Sequence, residues 1–388
     1  MRVLLIAEKY PPVVGGGETH LHQLAEGLVA QGNDVVVLTE AVDPGLDSAG
    51  YRRGAVEVRE IAGLVAACTR LDCKDAVEHL HQELTTTDAD VVHVFNYVPA
   101  LLVSWLRTTV RQPLVVSLFE TFVPGGRVFD LWGDWDLERA LQRGLVANLR
   151  PDLHLCGSRA YEKWAREAGF TEPASVVEFG TDLAAFTAET AHRDAWRGAR
   201  GLTDEFLFLI PARPVPRKRI EDAIAALAEI AGAHPRARLV LTSPTGRTQA
   251  SYAAWLSEEA ERRGVSDRLR WEDGLSWRDM PALYAGTDAV VLPSSHEGWG
   301  IALTEGMASR RPVITTDVEA HQEVVTDEET GLLYPAGDTA ALAQQMRRVL
   351  SDDLSGLVER AHREAHRRFS AEAVVDGHIA AYRSLVAR

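Results

Sequence analysis

Two α/β domains, each built on a doubly wound parallel sheet, are predicted by three observations. The chain has 388 residues, more than one hydrophobic core usually serves. Short apolar runs alternate with helix-periodic segments in both halves, the order that builds parallel sheets. In each half a strand also runs into a loop, rich in Gly or in Arg and Lys, that opens a helix, and open α/β sheets bind their ligands beyond such strand ends.

The amino half begins with an apolar strand over residues 3–7 and the loop Gly15-Gly16-Gly17. A helix follows, its apolar face made by Leu21, Leu24, Ala25 and Leu28; the 3.6-residue period places these side chains on one stripe. Gly32 closes the helix and residues 35–38 form the next strand, completing a βαβ unit. The loop does not fit the dinucleotide pattern G-x-G-x-x-G, and Glu40 is the only acidic residue that ends the second strand, so nothing here favours an NAD enzyme. Further strands are predicted over residues 91–95, 114–119, 153–156 and 175–178, with helices opening near Asp72, Ala100, Asp136 and Ser158. The polar stretch 187–202 reads as a linker.

In the carboxyl half, the apolar run 206–210 is bounded by Pro and leads into PARPVPRKRI at 211–220, after which Ile224, Leu227, Ala228 and Ile230 recur at helical spacing. Arg213, Arg217, Lys218 and Arg219 therefore sit on a strand-to-helix loop. Strands follow over 238–241, 268–271, 289–292 and 313–315. The most telling stretch is VVLPSSHEGWGIALTEGMASRRP, residues 290–312. Gly298 and Gly300 leave backbone N–H groups uncovered ahead of a helix beginning near Ile301, and the positive end of the helix dipole makes that an anion site. Glu297 precedes the turn and Glu305 lies about one helical turn inside. Carboxylates beside a phosphate site do not bind phosphate; they accept hydrogen bonds from hydroxyls. A ligand with sugar rings at two places and a phosphate between them, a nucleotide sugar, has that shape.

The spacing E-G-W-G-x-x-x-x-E, continued through RRPVITTDVEAHQEVV to TGLLYPAGD, resembles the signature of the retaining glycosyltransferases of family 4, whose fold is GT-B: two Rossmann-like domains facing a cleft. The resemblance implies that Glu297 contacts hydroxyls of the transferred sugar and Glu305 holds the nucleotide ribose. Arg213 and, five residues later, Lys218 would neutralise the diphosphate and stabilise it as it leaves; Arg217 and Arg219 read as solvated. Glu297, Arg213 and Lys218 are thus the catalytic expectations. Gly16 and Gly17 are expected to bring backbone near the donor, and the amides around Gly298, Trp299, Gly300 and Ile301 to complete the donor site. The family's organisation implies an acceptor domain over residues 1–186, with the helix of 371–388 crossing back to it, and a nucleotide-sugar domain over 187–370. Transfer would proceed with retention, by same-face attack of the acceptor and without metal; no Asp-x-Asp signature follows the carboxyl end of a predicted strand. The base would be read around residues 242–246 and 271–274, leaving UDP and GDP both open.

The chain also departs from the family's pattern. Where members often carry His-Asp, it has Phe119-Glu120, and Phe179-Gly180-Thr181-Asp182 stands where they have Asn-Gly-Val-Asp. Glu120 and His93 are the acceptor-side candidates, Glu120 reading equally as a carboxylate without a ligand and His93 more readily as a satisfied core-edge histidine, and the aromatic, Gly-rich segment 122–135 looks like an acceptor loop. Two alternatives share much of this pattern: a GT-B sugar-nucleotide epimerase or phosphorylase, and a catalytically inactive sugar-nucleotide-binding protein.

Composition bounds the partners. With 46% apolar and 25% charged residues the chain is ordinary globular protein, and its formal net charge is −15. Acidic residues outnumber basic ones in the amino half as well, which disfavours nucleic acid and anionic lipid surfaces. A soluble small-molecule acceptor, such as a specialised metabolite, is expected instead. No apolar run reaches the roughly 18 residues of a membrane span and Met1 opens directly into a strand, so a cytoplasmic protein is expected. Cys68, Cys73 and Cys156 are too few and scattered for a disulfide framework, and Cys68 and Cys73 with His79 and His81 match no common zinc spacing. No cofactor is expected beyond the nucleoside-diphosphate sugar as co-substrate.

Overall fold

In β1 (Arg2–Ile6) the side chains on both faces are buried, Val3 and Leu5 on one side and Leu4 and Ile6 on the other. A strand covered on both faces belongs inside a parallel sheet with helices above and below. The computed structural model describes residues 1–11, 16–41, 51–65, 74–118, 144–180, 182–186, 190–243, 247–276 and 278–387. The chain divides into two units, Met1–Phe179 with Ala371–Arg388, and Gly180–Ser370.

The first unit adds β2 (Asp34–Glu40), β3 (Tyr51–Arg53), β4 (Val56–Ile61), β5 (Val91–Phe95), β6 (Leu114–Ser117), β7 (Leu153–Cys156) and β8 (Ala174–Val176), in the order β3-β4-β2-β1-β5-β6-β7-β8. All pairs are parallel except β3 with β4. Val3, Leu5, Val35 and Val37 pack on Leu21, Leu24, Ala25 and Leu28 of the helix Gly16–Ala30, together with Val375, Ile379, Tyr382 and Leu385 of the helix Ala371–Val386. Leu4, Ile6, Val36 and Leu38 pack on the opposite side with Leu80 and Leu84 of the helix Lys74–Thr86. Period-2 alternation thus feeds two cores from one sheet.

β9 (Phe206–Ile210), β10 (Ala237–Thr242), β11 (Leu269–Glu272), β12 (Ala289–Leu292), β13 (Val313–Thr316) and β14 (Leu332–Tyr334) form the second unit's sheet, in the order β11-β10-β9-β12-β13-β14, parallel throughout. The chain leaves β9 outward to β10 and β11, then returns to lay β12 against the other side of β9. The loops after β9 and β12 therefore flank the point where strand order reverses, the crevice in which open α/β sheets take ligands.

Two expectations are corrected. The stretch 187–202 is not simply linker: Thr190–Gly198 is a helix of the second unit. Its Trp196 is buried, and its buried Arg197 donates to Gly286 O at 3.2 Å, Asp288 Oδ2 at 3.3 Å and Glu205 O at 2.6 Å. A helix that spends its cation on three acceptors ahead of the two central strands, β9 and β12, is part of the fold. Gly16 and Gly17 likewise belong to the first turn of the helix Gly16–Ala30, so they present helix-terminal amides rather than an extended Gly loop.

Candidate functional site

The loop after β9 is bent by a short 3-10 turn, Pro216–Lys218, and by Arg219 in the left-handed region at φ 48°, from which the helix Ile220–Ile230 starts. A non-Gly residue there costs about 1 kcal/mol or more. The Arg219 guanidinium offsets part of it by a two-pronged contact with Asp222 in the new helix's first turn, at 2.6 and 2.8 Å. The turn also aims Lys218 and Arg217 across at the loop following β12.

That second loop is tied to the first: Ser295 donates from N and from Oγ to Arg217 O, at 2.9 and 3.2 Å. Glu297 is buried there and gathers three donors, Lys218 Nζ and Ser294 Oγ (2.7 Å) on Oε1 and Arg217 Nη1 (3.2 Å) on Oε2. Burial alone would raise this carboxyl, but the charges of Lys218 and Arg217 outweigh it and hold it well below the usual range. Burial brings the Lys218 ammonium down to about 8 against the opposing pull of Glu297. The site thus holds ionised groups of both signs in a poorly hydrated place.

The turn then reaches Gly300 at φ 110°, a conformation only Gly adopts without strain, and the helix Ile301–Ala308 begins. A Cβ on Gly300 would stand 3.1 Å from Leu303 Cδ1 and 3.3 Å from the His321 ring. Gly306 seats the same helix on the sheet, since a Cβ there would meet Val290 and Val313 at 2.9 and 3.0 Å. The Trp299 side chain is buried and packs edge-on against Phe369, ring centroids 5.3 Å apart. Burial dominates at Glu305 and raises its carboxyl to about 7, only partly opposed by the nearby hydroxyl of the buried Tyr284, which donates to Ala302 O at 3.2 Å.

The structure therefore brings Lys218, Glu297 and the loop carrying Gly298, Trp299 and Gly300 together in one unit, with Glu305 four residues into the helix that starts at Ile301. Arg213 is exposed at the head of the β9 loop and makes no hydrogen bond or ion pair among the described residues. Arg217 and Arg219 are not simply solvated; each is spent on a carboxylate, Glu297 and Asp222 respectively. His93 is not on an open surface. It is fully buried in the first unit, its Nδ1 bonded to Tyr382 Oη (2.7 Å) and its Nε2 to Ser117 Oγ (2.9 Å), because its strand position faces the core that receives the helix Ala371–Val386. Glu120, with residues 122–135, lies outside the described residues, as do Cys68 and Cys73. Among the described residues no group of three or more His, Cys, Asp or Glu is placed to hold a metal, and no helix is long and apolar enough to cross a membrane.

Sequence reasoning missed Ser294 and His321. His321 has no exposed surface, and its Nδ1 lies 2.7 Å from Thr315 Oγ1 and 3.0 Å from Thr316 Oγ1. The available signal was a His in the run DVEAHQEVV directly after a strand ending in Thr-Thr.

Switch-point loops that converge cations and a buried carboxylate before a Gly-led helix define an α/β protein built for an anionic, hydroxyl-bearing ligand. The particular family follows from comparison. Residues 14–185 match the model of Glycosyltransferase Family 4 and residues 192–371 that of Glycosyl transferases group 1, so the chain belongs to the family 4 glycosyltransferases. It is 28% identical over 406 residues to the glycogen synthase of Mycobacterium tuberculosis, covering 96% of this chain and 91% of that protein. Among solved structures, sucrose-phosphate synthase from Thermosynechococcus elongatus superposes with TM-score 0.86 at 22% identity, over 100% of this chain and 99% of that one. Anabaena HepE in complex with UDP-glucose superposes with TM-score 0.81 at 20% identity, over 99% and 100%. The fold is GT-B, and the protein is a transferase of that class.

Proposed function

We propose that this glycosyltransferase moves a sugar from a UDP- or GDP-linked donor to a soluble small-molecule acceptor, in the cytoplasm, without metal and with retention at the anomeric carbon. The observation that carries this reading is the convergence of Lys218 and Arg217 on Glu297 at the β9–β12 switch point. A diphosphate offers these cations a doubly charged partner in place of one carboxylate, so its arrival would draw Lys218 and Arg217 onto phosphate oxygens and release Glu297 to accept hydrogen bonds from sugar hydroxyls. Arg213, exposed beside them, adds a third cation to the leaving diphosphate. The amides that open the helix Ile301–Ala308 face the same charge as the glycosidic bond breaks. Glu305 takes the ribose hydroxyls.

The residues 187–370 act as donor domain, and 1–186 with 371–388 as acceptor domain. The acceptor hydroxyl attacks from the face the diphosphate leaves, its proton passing to the departing phosphate oxygen as the new glycosidic bond forms. The UDP-glucose bound in the HepE crystal structure makes a uridine donor the first to test.

Calorimetric titration of the full chain with UDP, GDP, dTDP and ADP, with and without chelator, tests the reading against Lys218→Ala and Glu305→Ala. Binding of one diphosphate, unaffected by chelator and weakened by both substitutions, is expected. An absence of binding to all four overturns it.

A further inference from the structure

His321 carries a polar atom that the transfer reading above does not use. Its ring is wholly buried, and among the described residues Nε2 has no hydrogen-bond partner. An orphaned buried acceptor or donor costs about 1–3 kcal/mol, so its persistence calls for an account. The hydrogen bonds around the ring decide which it is. Thr315 Oγ1 donates its one proton to Leu292 O at 2.8 Å, and Thr316 Oγ1 donates its own to Ser294 O at 2.7 Å. Both hydroxyls are therefore left with only lone pairs to offer Nδ1, at 2.7 and 3.0 Å. Nδ1 must be the N–H, and the neutral ring then presents a bare lone pair at Nε2. Burial, which takes this imidazole down to about 4, keeps it in that neutral form near neutral pH.

The Nε2 edge faces the turn that starts the helix Ile301–Ala308: a Cβ built on Gly300 would stand 3.4 Å from it. The ring also feels the charges of Glu297 and Lys218 directly. A lone pair in that position repels phosphate oxygens, which can only accept, and suits a group that donates.

We propose that His321 Nε2 accepts a hydrogen bond from a hydroxyl of the sugar carried by the donor, making it a specificity-determining residue for which sugar is transferred. This rests on the donor-site reading above. Glu297 and His321 then form a pair of acceptors that read hydroxyls, while Lys218 and Arg217 turn to the diphosphate. Thr315 and Thr316 set the tautomer and so the sign of the recognition: a sugar lacking the hydroxyl leaves Nε2 buried and unpaired, and discrimination by such a site is steep.

The test compares wild type, His321→Leu and His321→Gln by calorimetry, using the diphosphate that binds and its sugar nucleotides: UDP-glucose, UDP-galactose, UDP-N-acetylglucosamine and UDP-glucuronate for UDP, GDP-mannose and GDP-fucose for GDP. The quantity read is the ratio of the diphosphate's Kd to that of its best sugar nucleotide. His321→Leu is expected to lower this ratio roughly tenfold and to leave the diphosphate's own Kd within about twofold. The Gln carboxamide oxygen restores an acceptor, so His321→Gln recovers part of the ratio. An unchanged ratio in His321→Leu, or an equal loss for diphosphate and sugar nucleotide, overturns the proposal, the latter showing a merely structural role. Should His321→Leu fail to fold, wild-type protein labelled with 15N-histidine decides. The signal of the bare Nε2 should move on adding the sugar nucleotide and not on adding the diphosphate; the same response to both overturns the proposal. Wild type that binds no diphosphate overturns the donor-site reading itself, whereas wild type that binds it with His321→Leu indistinguishable overturns only the role of His321.

Discussion

Lys218 donates to Glu297 across 79 residues of chain, joining the loop after β9 to the loop after β12, and Arg217 takes the second oxygen of the same carboxylate. Removing Glu297 leaves the buried Lys218 without its counter-charge, a loss of about 3–5 kcal/mol; removing Lys218 leaves Glu297 with Arg217 and costs less, and removing both members is milder than the sum. Glu297→Gln and Lys218→Met are each expected to lower the unfolding midpoint in urea, and the double variant to recover much of the difference. A double variant as unstable as the sum of the singles would show that the pair does not act as a unit.

Lys218 is brought to about 8 by burial, so it loses its proton as pH rises through that value. Diphosphate affinity should therefore hold at pH 7 and fall progressively above pH 8. Lys218→Arg keeps its charge throughout that range and should flatten the profile. Calorimetry from pH 6.5 to 9.5 checks both.

Glu305 titrates near 7, against an ordinary carboxyl value of 4.5. Between these values the folded protein holds a proton that the unfolded chain has released, so this residue's contribution to stability declines as pH rises from about 4.5 to 7. Glu305→Gln removes that decline. The variant is expected to be more stable than wild type at pH 8, by no more than about 3 kcal/mol, with little difference at pH 4.5, while its diphosphate binding weakens. Thermal melts at the two pH values read the sign directly.

Gly300 holds φ 110° with Leu303 and the His321 ring close by. Gly300→Ala meets both the backbone strain and the contact, and a loss of about 1–3 kcal/mol is expected, with weaker donor binding because the turn that aims the helix Ile301–Ala308 must shift. Equal melting temperatures for variant and wild type would show that the turn relaxes at no cost.

Much of this was readable in the chain, for identifiable reasons. The strands at Val91–Phe95, Leu153–Cys156, Phe206–Ile210 and Ala289–Leu292 are short, apolar and bounded by polar or Pro residues, and the helix starts at Ile301 as the Gly298–Gly300 turn implied. β4 escapes the sequence reading although VEVREI largely alternates with period 2; its neighbour β3, and β14 at the edge of the second unit's sheet, have three residues each, too few to carry a period. The helix Thr190–Gly198 reads as linker in the sequence because its polar composition hides a purpose visible only in three dimensions, where Trp196 and Arg197 meet Gly286 and Asp288. At the site, the spacing of Glu297 and Glu305 was informative because one turn imposes it. The partners of Arg217 and Arg219, and the tautomer of His321, depend on side chains brought from separate strands, and no local pattern encodes those.

The helix Ala371–Val386 belongs to the first unit although the whole second unit precedes it in the chain. During synthesis, the apolar stripe that Val375, Ile379, Tyr382 and Leu385 will cover, and the His93 Nδ1 that Tyr382 will satisfy, wait uncovered until the ribosome has made some 190 further residues. The first unit is therefore the first to emerge and the last to be finished, and a nascent or truncated chain that stops short of Ala371 would expose a sticky face that chaperones and proteases can recognise.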